Sequence, residues 1–417
     1  MTQLSDDAFA AGDRLMPVDE ALALLRARGH AVAETERVGL IDADGRVLAE
    51  SLIAPLDLPV FDNSAVDGYA ARFADLAASG ETILPVVGRL TAGAAAGAPL
   101  AAGAVARIFT GAPTPEGADT IFMQEDVRVL DDGRVALPAG LKRGANLRPR
   151  GEDIARGAVA LEAGRRLTPQ DIGLAAALGM THLVVRRPLR AAVFSTGDEI
   201  VSPGAALGPA QLHDANRFVL QALLKRLGCA VSDLGILPDD RAAVRAALTG
   251  AAQDHDIVLT SGGVSLGEED HVRAALEEAG SLAFWRLAIK PGRPVAMGLI
   301  GGTPFIGLPG NPVAVFVTFA IVARTLIAAL TGVRDEPLPT PGVRCAFSYR
   351  KKAGRREYVR VRLVAGADGV AAEKHAVEGA GVLTSLTRTH GLIELSEDMT
   401  TVSPGDTAPF IAYAALW

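Results

Sequence analysis

The sequence is poor in cysteine and has no apolar leader at its start. Only two cysteines, Cys229 and Cys345, occur among 417 residues, far apart and outside any metal-ligand spacing. A disulfide framework or a structural zinc site is therefore not expected, and a reducing compartment fits this usage. The first ten residues, MTQLSDDAFA, are acidic and lack the apolar core of a secretory signal. Together these features predict a cytoplasmic protein.

Basic residues do not outnumber acidic ones. The chain has 41 Lys and Arg against 48 Asp and Glu, which gives a formal net charge of −7. This balance argues against a nucleic-acid partner. The sequence also has no internal repeat or low-complexity tract, and its hydrophobic fraction of 49% is typical of a globular protein. At this length we expect two to four domains.

One segment imitates a membrane-spanning helix. Between positions 312 and 330, Arg324 is the only charged residue in the sequence. However, Asn311 precedes the segment as a cap, Pro312 occupies its first position and Gly332 follows its end, as in helices of soluble proteins. We therefore expect a buried helix that covers a sheet, and no membrane partner.

Apolar runs alternate with helical patterns in the second half of the chain. The runs occupy 191–195, 231–237, 257–259 and 304–308, and the helices 214–228 and 240–250. This alternation predicts a doubly wound parallel sheet of the α/β class. Ligands of such sheets bind outside the carboxyl ends of the strands. At that edge fall Glu199, Asp239, Asp240, Glu268, Asp270 and the turn at 308–312.

The chain is organised around the stretch from 256 to 271, DIVLTSGGVSLGEEDH. Its Ser261-Gly262-Gly263 turn follows a buried strand, and Ser265 with Glu268 fits a capping box at a helix start. Glycines let backbone N–H groups approach an anion, and a helix N-terminus favours negative charge. A tight turn without a ligand is the interpretation favoured for Ser-Gly-Gly taken alone.

The acids that follow this turn favour a ligand-binding interpretation. Glu268, Glu269 and Asp270 fall in the first helical turn, where one or two acids are ordinary partners of the helix dipole. Beside a phosphate they would repel the ligand unless a divalent cation such as Mg²⁺ bridged carboxylate and phosphate. Glu199, Asp239 and Asp270 each follow a different strand, so they are the candidate metal ligands.

Basic residues concentrate in two loops. Arg286, Lys290 and Arg293 lie in WRLAIKPGRP, where a Pro-Gly turn that carries cations suits a phosphorylated ligand. Without the neighbouring motifs, solvated surface charges would explain them equally well. The run KRGANLRPRGED at 142–153 has the same two interpretations.

The first half of the chain predicts shorter elements. A helix is expected over 17–29 and a hairpin over 34–54, with its turn at 42–45. Residues 71–140 predict a small β-rich domain. Between these parts, residues 55–70 carry several polar turn formers, which suggests a shaped polar site. These turn formers are Asp62, Asn63, Ser64 and Asp67.

The C-terminal part, 337–417, predicts a small β-barrel or sandwich because several short strands are separated by glycines. Within it, Tyr358, Arg360 and Arg362 alternate with apolar residues. This arginine-bearing face could be solvated or could line a cleft, and the first interpretation is favoured.

Seven motifs in this order closely resemble the MoeA family of molybdopterin molybdotransferases, which is related to the E domain of gephyrin. They are FDNSAVDGYA (61–70), IFTGA (108–112), RGEDI (150–154), STGDE (195–199), SGGVSLGEED (261–270), AIKPGRP (288–294) and GLPGNP (307–312). The resemblance implies a linking domain in two parts (1–54 and 146–188) and an inserted β-rich domain (55–145). It also implies an α/β domain that binds molybdopterin and nucleotide (189–335) and a C-terminal β-barrel (336–417).

The resemblance also implies a reaction. A homodimer would take adenylylated molybdopterin and molybdate as substrates, cleave the adenylate with Mg²⁺ present, release AMP and place molybdenum on the dithiolene sulfurs. Its partners would include the upstream adenylyltransferase and downstream cofactor-maturation proteins. Two alternatives stay open: a molybdopterin adenylyltransferase acting one step earlier, and a non-enzymatic scaffold like gephyrin. The extra domains disfavour the first, and the acids at the sheet edge disfavour the second.

Site residues follow from the matched motifs and from the sheet edge. The catalytic candidates are Asp67, Thr110, Asp153, Glu199, Asp239 and Asp270. The ligand-binding candidates are Ser261, Gly262, Gly263, Ser265, Arg286, Lys290, Arg293, Pro309, Gly310 and Pro312. Position 286 is commonly Lys in the family, so the Arg found here keeps the charge but changes the geometry. Arg360 and Ser385 match the family more weakly.

Overall fold

The structure is a computed structural model, and it describes residues 15–32, 34–238, 240–262, 278, 280–334, 338–366 and 369–417. Several residues singled out in the sequence lie outside these ranges, so their roles stay predictions. They are Asp239, Gly263, Ser265, Glu268, Glu269 and Asp270.

Short strands dominate the first part of the chain. Its elements are α1 (Val18–Arg28), β1 (Thr35–Gly39), β2 (Leu52–Ile53), β3 (Asn63–Ser64), β4 (Gly68–Ala71), β5 (Thr82–Leu84), β6 (Val86–Leu90), β7 (Val105–Ile108), β8 (Thr120–Met123), β9 (Arg128–Val129), β10 (Val135–Leu137), β11 (Leu147–Arg148), β12 (Val159–Leu161), α2 (Pro169–Ala177) and β13 (His182–Arg186). Thr168 and Asp171 form a capping box at the start of α2.

Two separate stretches of this part fold together. Strand β1 pairs antiparallel with β13, and β2 pairs with β12, around a core that includes Leu48, Leu167 and Val185. The hairpin predicted over 34–54 is therefore wrong. Its turn formers make a 3-10 turn at Ile41–Ala43, but β1 finds its partner far along the chain. Local turn residues show where a chain bends, not which strand it then joins.

The region between these stretches forms two small sheets. One has the strand order β6-β7-β4-β8 and the other β5-β10-β9. Tyr69, Val105 and Phe122 belong to the core between them. Strands β9 and β10 pair antiparallel on either side of a turn at Gly133. Gly133 has φ +80°, a conformation that glycine adopts without strain.

The second part of the chain contains the predicted parallel sheet. Its elements are β14 (Arg190–Thr196), β15 (Ile200–Val201), β16 (Leu212–His213), α3 (Asn216–Arg226), β17 (Ala230–Leu237), α4 (Arg241–Asp254), β18 (Ile257–Ser261), β19 (Gly280–Arg286), β20 (Ile289–Lys290), β21 (Pro294–Ile300), β22 (Thr303–Leu308) and α5 (Pro312–Thr331). The sheet order is β17-β14-β18-β22-β21-β19.

The alternating pattern predicted this domain well. Strands β17, β14, β18 and β22 are parallel, whereas β21 and β19 add an antiparallel edge that the sequence interpretation missed. Helices α3 and α5 cover one face, where Val193 and Leu259 point. Helix α4 covers the other face, which carries Phe194, Val258 and Phe305. Both faces are thus buried, as a parallel sheet requires.

Helix α5 has the length and apolar composition of a membrane span, yet 78% of its most apolar window is buried inside the protein. It begins at Pro312 and ends before Gly332, whose φ is +72°. The expectation of a buried helix over the sheet is confirmed. Helix α1 packs on it, because Val18 and Leu25 share its core cluster.

The C-terminal part closes into a barrel. Its elements are β23 (Gly342–Cys345), β24 (Tyr349–Arg350), β25 (Arg356–Gly366), β26 (Gly369–Lys374), α6 (Thr384–Thr387), β27 (Gly391–Leu395), β28 (Thr401–Val402) and β29 (Thr407–Ala412). Strand order β25-β26-β23-β29-β27 closes because β25 pairs with both β26 and β27. The short strand β20 joins it from outside, parallel to β25.

The arginine-bearing face of β25 is not solvated as a whole. Val359 and Val361 point into the barrel, while Tyr358 joins the core cluster of the parallel sheet. Arg360 is only 6% exposed, so the favoured interpretation is wrong for it. Arg362 alone of these basic positions fits a solvated face, where it pairs with Glu373 at 2.7 Å. The barrel buries this side of β25 because it packs against the sheet domain.

Asp256 fixes the amino end of β18. Its carboxylate accepts hydrogen bonds from Arg187 at 2.6 and 2.9 Å and from the Arg190 backbone N–H at 2.8 Å. Desolvation opposes its ionisation, but the bonds from Arg187 and Arg190 outweigh that effect and lower the pKa of Asp256 to about 2. The carboxylate therefore stabilises the folded state wherever it is charged.

This network predicts a pH-dependent stability. An unfolded aspartate titrates near pH ~3.9, so the contribution is present above that value and is lost as the pH falls towards the folded pKa. We expect Asp256→Asn to lower the free energy of unfolding by about 2 kcal/mol at neutral pH. Urea unfolding of both proteins should show the gap closing in acid. Asp44→Asn, an exposed control, should differ little from the parent, and a gap that is constant with pH would contradict the assignment.

Candidate active site

Two cavities meet at the turn that precedes α5. The first, the edge cavity, has a volume of about 360 Å³ and lies at the carboxyl ends of β14 and β18, where Ser195, Glu199 and Gly262 line it. The second, the interdomain cavity, has a volume of about 330 Å³ and lies between the sheet domain and the barrel. Gly310 and Asn311 line both cavities. Ligands bound in the two would therefore be neighbours.

Buried hydroxyl groups line the edge cavity. Ser195 and Thr196 are 1% and 4% exposed, and neither hydroxyl has a hydrogen-bond partner among the described residues. Asn216 donates to the Gly310 carbonyl at 2.7 Å, which leaves its own side-chain oxygen without a partner in the described part of the chain. Buried polar groups are normally satisfied, so this wall is suited to a polar ligand.

Gly262 lets the turn after β18 lie close to the backbone of Thr196 at the end of β14. Its φ is +87°, and a Cβ atom there would lie 3.1 Å from the Thr196 carbonyl oxygen. Ser261, Gly262 and Pro312, all predicted to bind ligand, line the same cavity. The structure thus brings the start of the glycine turn and the end of β22 together, as the parallel sheet implied.

Glu199 is the candidate metal ligand that the structure describes. It is exposed, and its carboxylate lies over Gly197, where a Cβ atom would come within 2.5 Å of a carboxylate oxygen. Within the described ranges no group of three His, Cys, Asp or Glu side chains is placed to hold a metal. Mg²⁺ needs only one or two carboxylates when phosphate and water complete its shell. Glu199 beside two free hydroxyls fits such a cation, while Asp239 and Asp270 lie outside the described residues.

Asp214, the other described acid that lines the edge cavity, stabilises the fold. Asp214 is buried and accepts a hydrogen bond from Arg217 at 2.8 Å. Asp240, expected at the site edge, caps α4 by accepting the Ala243 backbone N–H at 2.8 Å. Asp214 is therefore fully engaged by Arg217, whereas Asp240 is exposed and uses one carboxylate oxygen for the cap.

Cations line the interdomain cavity. Lys290 donates to the Tyr349 hydroxyl and to Glu357, each at 3.1 Å. Desolvation would lower the pKa of Lys290, but these two bonds outweigh it and raise the pKa, so the ammonium is charged at neutral pH. Arg360 donates to the Val377 carbonyl at 3.1 Å, and its buried Nε has no partner among the described residues. Lys374 contributes a third cation.

Of the three cations in the predicted basic loop, Lys290 is the one among the described lining residues of the interdomain cavity, beside Pro291 and Gly292 of the same loop. Pro309 and Gly310 line the same cavity. Arg286 and Arg293 are exposed and are not among the lining residues that the structure describes. Their backbone carbonyls instead accept hydrogen bonds from Met16 and Leu287, at 2.8 and 2.9 Å. The structure therefore does not bring all three cations into one cavity.

Asp67 and Thr110 form a second polar site, on the inserted sheets. The Asp67 carboxylate accepts the Thr110 backbone N–H at 2.8 Å and its hydroxyl at 2.7 Å. These two bonds lower the pKa of Asp67, with a smaller contribution from nearby Arg107. Arg107 itself lies over the rings of Tyr69 and Phe109, at 5.0 and 4.8 Å.

Asp153 is exposed on a nearby connecting segment. Its backbone N–H donates to the Leu58 carbonyl at 3.0 Å. In the same segment Arg150 pairs with Asp57 at 2.6 Å, and Arg143 pairs with Asp119 at 2.7 Å. The basic run at 142–153 is thus at least partly neutralised by surface acids.

Sequence reasoning missed several residues of these cavities. Ser195 and Thr196 lie in the STGDE motif and end an apolar strand, which was a usable signal. Tyr349 and Glu357 gave no such signal, because a single tyrosine or glutamate in a strand resembles any surface position. Only the docking of the barrel on the sheet makes them part of a site.

Comparison with known proteins gives matches along nearly the whole chain. Residues 16–179 match the MoeA N-terminal region (domain I and II), 192–329 a probable molybdopterin binding domain, and 342–413 the MoeA C-terminal region (domain IV).

Relatives and solved structures agree with these matches. The molybdopterin molybdenumtransferase of Haemophilus influenzae is 39% identical over 376 residues, which cover 90% of this chain and 93% of the relative. Molybdopterin molybdenumtransferase 2 of Mycobacterium tuberculosis is 37% identical, over 88% of this chain and 92% of its own length. The crystal structure of the molybdopterin biosynthesis MoeA protein from Pyrococcus horikoshii OT3 superposes with a TM-score of 0.81 at 28% identity, covering 96% of this chain and 100% of that one.

Proposed function

This chain belongs to the MoeA family, and from that premise we propose that it inserts molybdenum from molybdate into adenylylated molybdopterin, cleaving the adenylate and releasing AMP. It is a transferase of molybdenum cofactor biosynthesis. The observation that carries the detailed reaction is the adjacency of the two cavities. A polar cavity at the sheet edge and a cationic cavity share the turn at Gly310 and Asn311.

We assign the phosphate-bearing substrate to the edge cavity. Free hydroxyls at Ser195 and Thr196 and the turn that starts at Ser261 and Gly262 offer donors to a phosphate. Gly263 and Ser265 would extend this cradle. Because the hydroxyls are buried, hydrogen bonds from them to an anion would be stronger than in water.

Molybdate is assigned to the interdomain cavity. The ammonium of Lys290 and the guanidinium of Arg360 line one space with Lys374, and Pro309 closes it towards the sheet. Charged donors bind oxyanions roughly twice as strongly as neutral ones do. Arg286 and Arg293 would contribute to steering the anion from outside rather than to holding it.

Mg²⁺ is assigned to Glu199 together with Asp239 and Asp270. When bound, the cation would neutralise the crowded carboxylates and polarise the scissile phosphate. Phosphate oxygens and water would complete the shell of the cation.

Asp67, Thr110 and Asp153 are assigned to the chemical step. The bonds from Thr110 lower the pKa of Asp67 and orient its carboxylate, so it can position water or a cation. These residues belong to the inserted region, so we propose that two copies share each site in a homodimer. The reaction would take place in the cytoplasm, between an upstream adenylyltransferase and downstream cofactor-maturation proteins. The adenylyltransferase alternative is not favoured, since the family matches extend over the inserted and C-terminal regions.

A magnesium titration tests the reaction. With adenylylated molybdopterin and molybdate supplied, we expect AMP release to require Mg²⁺. Glu199→Gln and Asp270→Asn should each raise the half-maximal Mg²⁺ concentration by about tenfold or more, since each removes a charged ligand. Glu81→Gln, which changes an exposed acid paired with Arg128, is the control. Variant titrations that overlay the parent would contradict the metal assignment. AMP release without any divalent cation would contradict the proposed dependence of the reaction on Mg²⁺.

Asp67→Asn tests the second polar site. The change keeps the size and turn propensity of the residue but removes its charge. We expect near-normal thermal unfolding together with a large loss of molybdenum insertion. Asp132→Asn is a matched control, because Asp132 also accepts a backbone N–H in an exposed turn. If the melting temperature falls while activity per folded molecule holds, Asp67 serves the turn only.

The proposed homodimer has a simple physical test. Light scattering at micromolar concentration should give about twice the chain mass of 43.1 kDa. A fully active monomer would show that each chain completes its own site.

A further inference from the structure

We propose that Glu357 is a positioning residue of the interdomain cavity, whose buried carboxylate, together with the Tyr349 hydroxyl, holds the Lys290 ammonium against the cavity wall. This inference rests on the proposed function of that cavity as an oxyanion site. It concerns how the barrel prepares a cation that belongs to the sheet domain.

The carboxylate is almost fully enclosed and almost fully bonded. Glu357 is 1% exposed, and one of its oxygens accepts from Lys290 at 3.1 Å and from the Tyr349 hydroxyl at 2.7 Å. Its other oxygen accepts from Arg355 at 2.6 Å. A buried charge with this number of donors is held in one position, because any displacement would leave a desolvated group unpaired.

The backbone brings the pair together. Strand β20 runs parallel to β25, with Lys290 opposite Glu357, and the Arg356 N–H donates to the Ala288 carbonyl at 2.7 Å. On its other side the same segment pairs with Met16, whose carbonyl accepts the Ala288 N–H at 2.8 Å. The main chain at 288–290 is therefore fixed from two directions, and the side chain of Lys290 is fixed by the barrel.

The charges around Lys290 explain why a carboxylate is needed. Arg360, Lys374 and His375 line the cavity with it, against Glu357 and Glu378. Lys374 is engaged by Glu378 and lies 5.3 Å from the Tyr349 ring. Without the Glu357 charge, Lys290 would lose its ion-pair partner beside Arg360 and Lys374, which would lower its pKa and leave its side chain less firmly held.

The same arrangement leaves the cavity cationic. Arg355 bonds the carboxylate oxygen that Lys290 does not use, so part of the negative charge is balanced behind the cavity wall. An incoming oxyanion thus meets an oriented ammonium in front of the Glu357 carboxylate, while the charge of Glu378 is paired with Lys374. Lys351 is a further cation of the barrel. It donates to the Arg355 carbonyl at 2.8 Å and does not line the cavity.

The first experiment measures Lys290 directly, without any ligand. The full-length protein with isotope-labelled lysine side chains is titrated by NMR, and Lys290→Met identifies the signal. In Glu357→Gln we expect the pKa of Lys290 to fall below that of the parent, because the attracting charge is gone while the shape is kept. Tyr349→Phe keeps the ring and removes one hydrogen bond, so it should give a smaller shift of the same sign. It also keeps the test valid if Glu357→Gln does not fold.

A matched control separates positioning from general charge. Glu373→Gln removes a half-exposed barrel carboxylate that is paired with Arg362, and it should leave the Lys290 titration unchanged. Equal titration of Lys290 in the parent, Tyr349→Phe and Glu357→Gln would overturn the proposal. It would show that Glu357 only ties the barrel to the sheet.

The second experiment uses molybdate alone, with calorimetry from about pH 7 to about pH 11, across the titration of a lysine. Glu357→Gln should bind about tenfold more weakly than the parent, with a loss that grows as the pH rises. Lys290→Met should bind weakly with no such dependence, and adding Glu357→Gln to it should change nothing further. If the parent itself does not bind molybdate, the oxyanion assignment of the cavity fails, while the lysine titration still decides whether Glu357 positions Lys290.

Discussion

Strand β25 must serve two cores at once, and the arrangement of the cavities depends on that constraint. A strand points alternate side chains to opposite sides. On β25, Val359 and Val361 fill the barrel, so Tyr358 and Arg360 must point outward. The outward side would be solvent-exposed in an isolated barrel. Here it packs against the sheet domain, and the space left beside it is the interdomain cavity.

The two domains contribute different residues to the cavities. The sheet supplies small polar groups, because the carboxyl ends of its parallel strands converge at one edge. Ser195, Ser261 and Gly262 reach the edge cavity in that way. The barrel supplies the long charged side chains of Arg360 and Lys374, which join Lys290 of the sheet domain. The interdomain cavity therefore exists only where the two domains are packed together.

Much of the fold could be predicted from the sequence, because its strongest signals are local. The four parallel strands, the buried helix α5 and the barrel follow from hydrophobic periodicity and turn residues, and the motif order predicted the family correctly. The failures are long-range pairings. Strand β1 joins β13 and not its own hairpin, and the 280–300 segment adds an antiparallel edge to the sheet. Arg360 was misplaced for the same reason, since alternation shows that two faces differ but not what covers each one. Glu357 could not be predicted as a site residue, because its role depends on the neighbouring strand β20.

Helix α5 has a consequence for how the chain is made. A segment this apolar would be at risk of aggregation or of mistaken insertion into a membrane if it emerged from the ribosome first. It follows β14, β17, β18 and β22 in the sequence, and β22 directly precedes it. By the time α5 is synthesised, every parallel strand it will cover already exists, as does helix α1, which packs on its other side. The order of elements along the chain therefore limits how long this surface stays uncovered, a form of protection that the finished structure no longer displays.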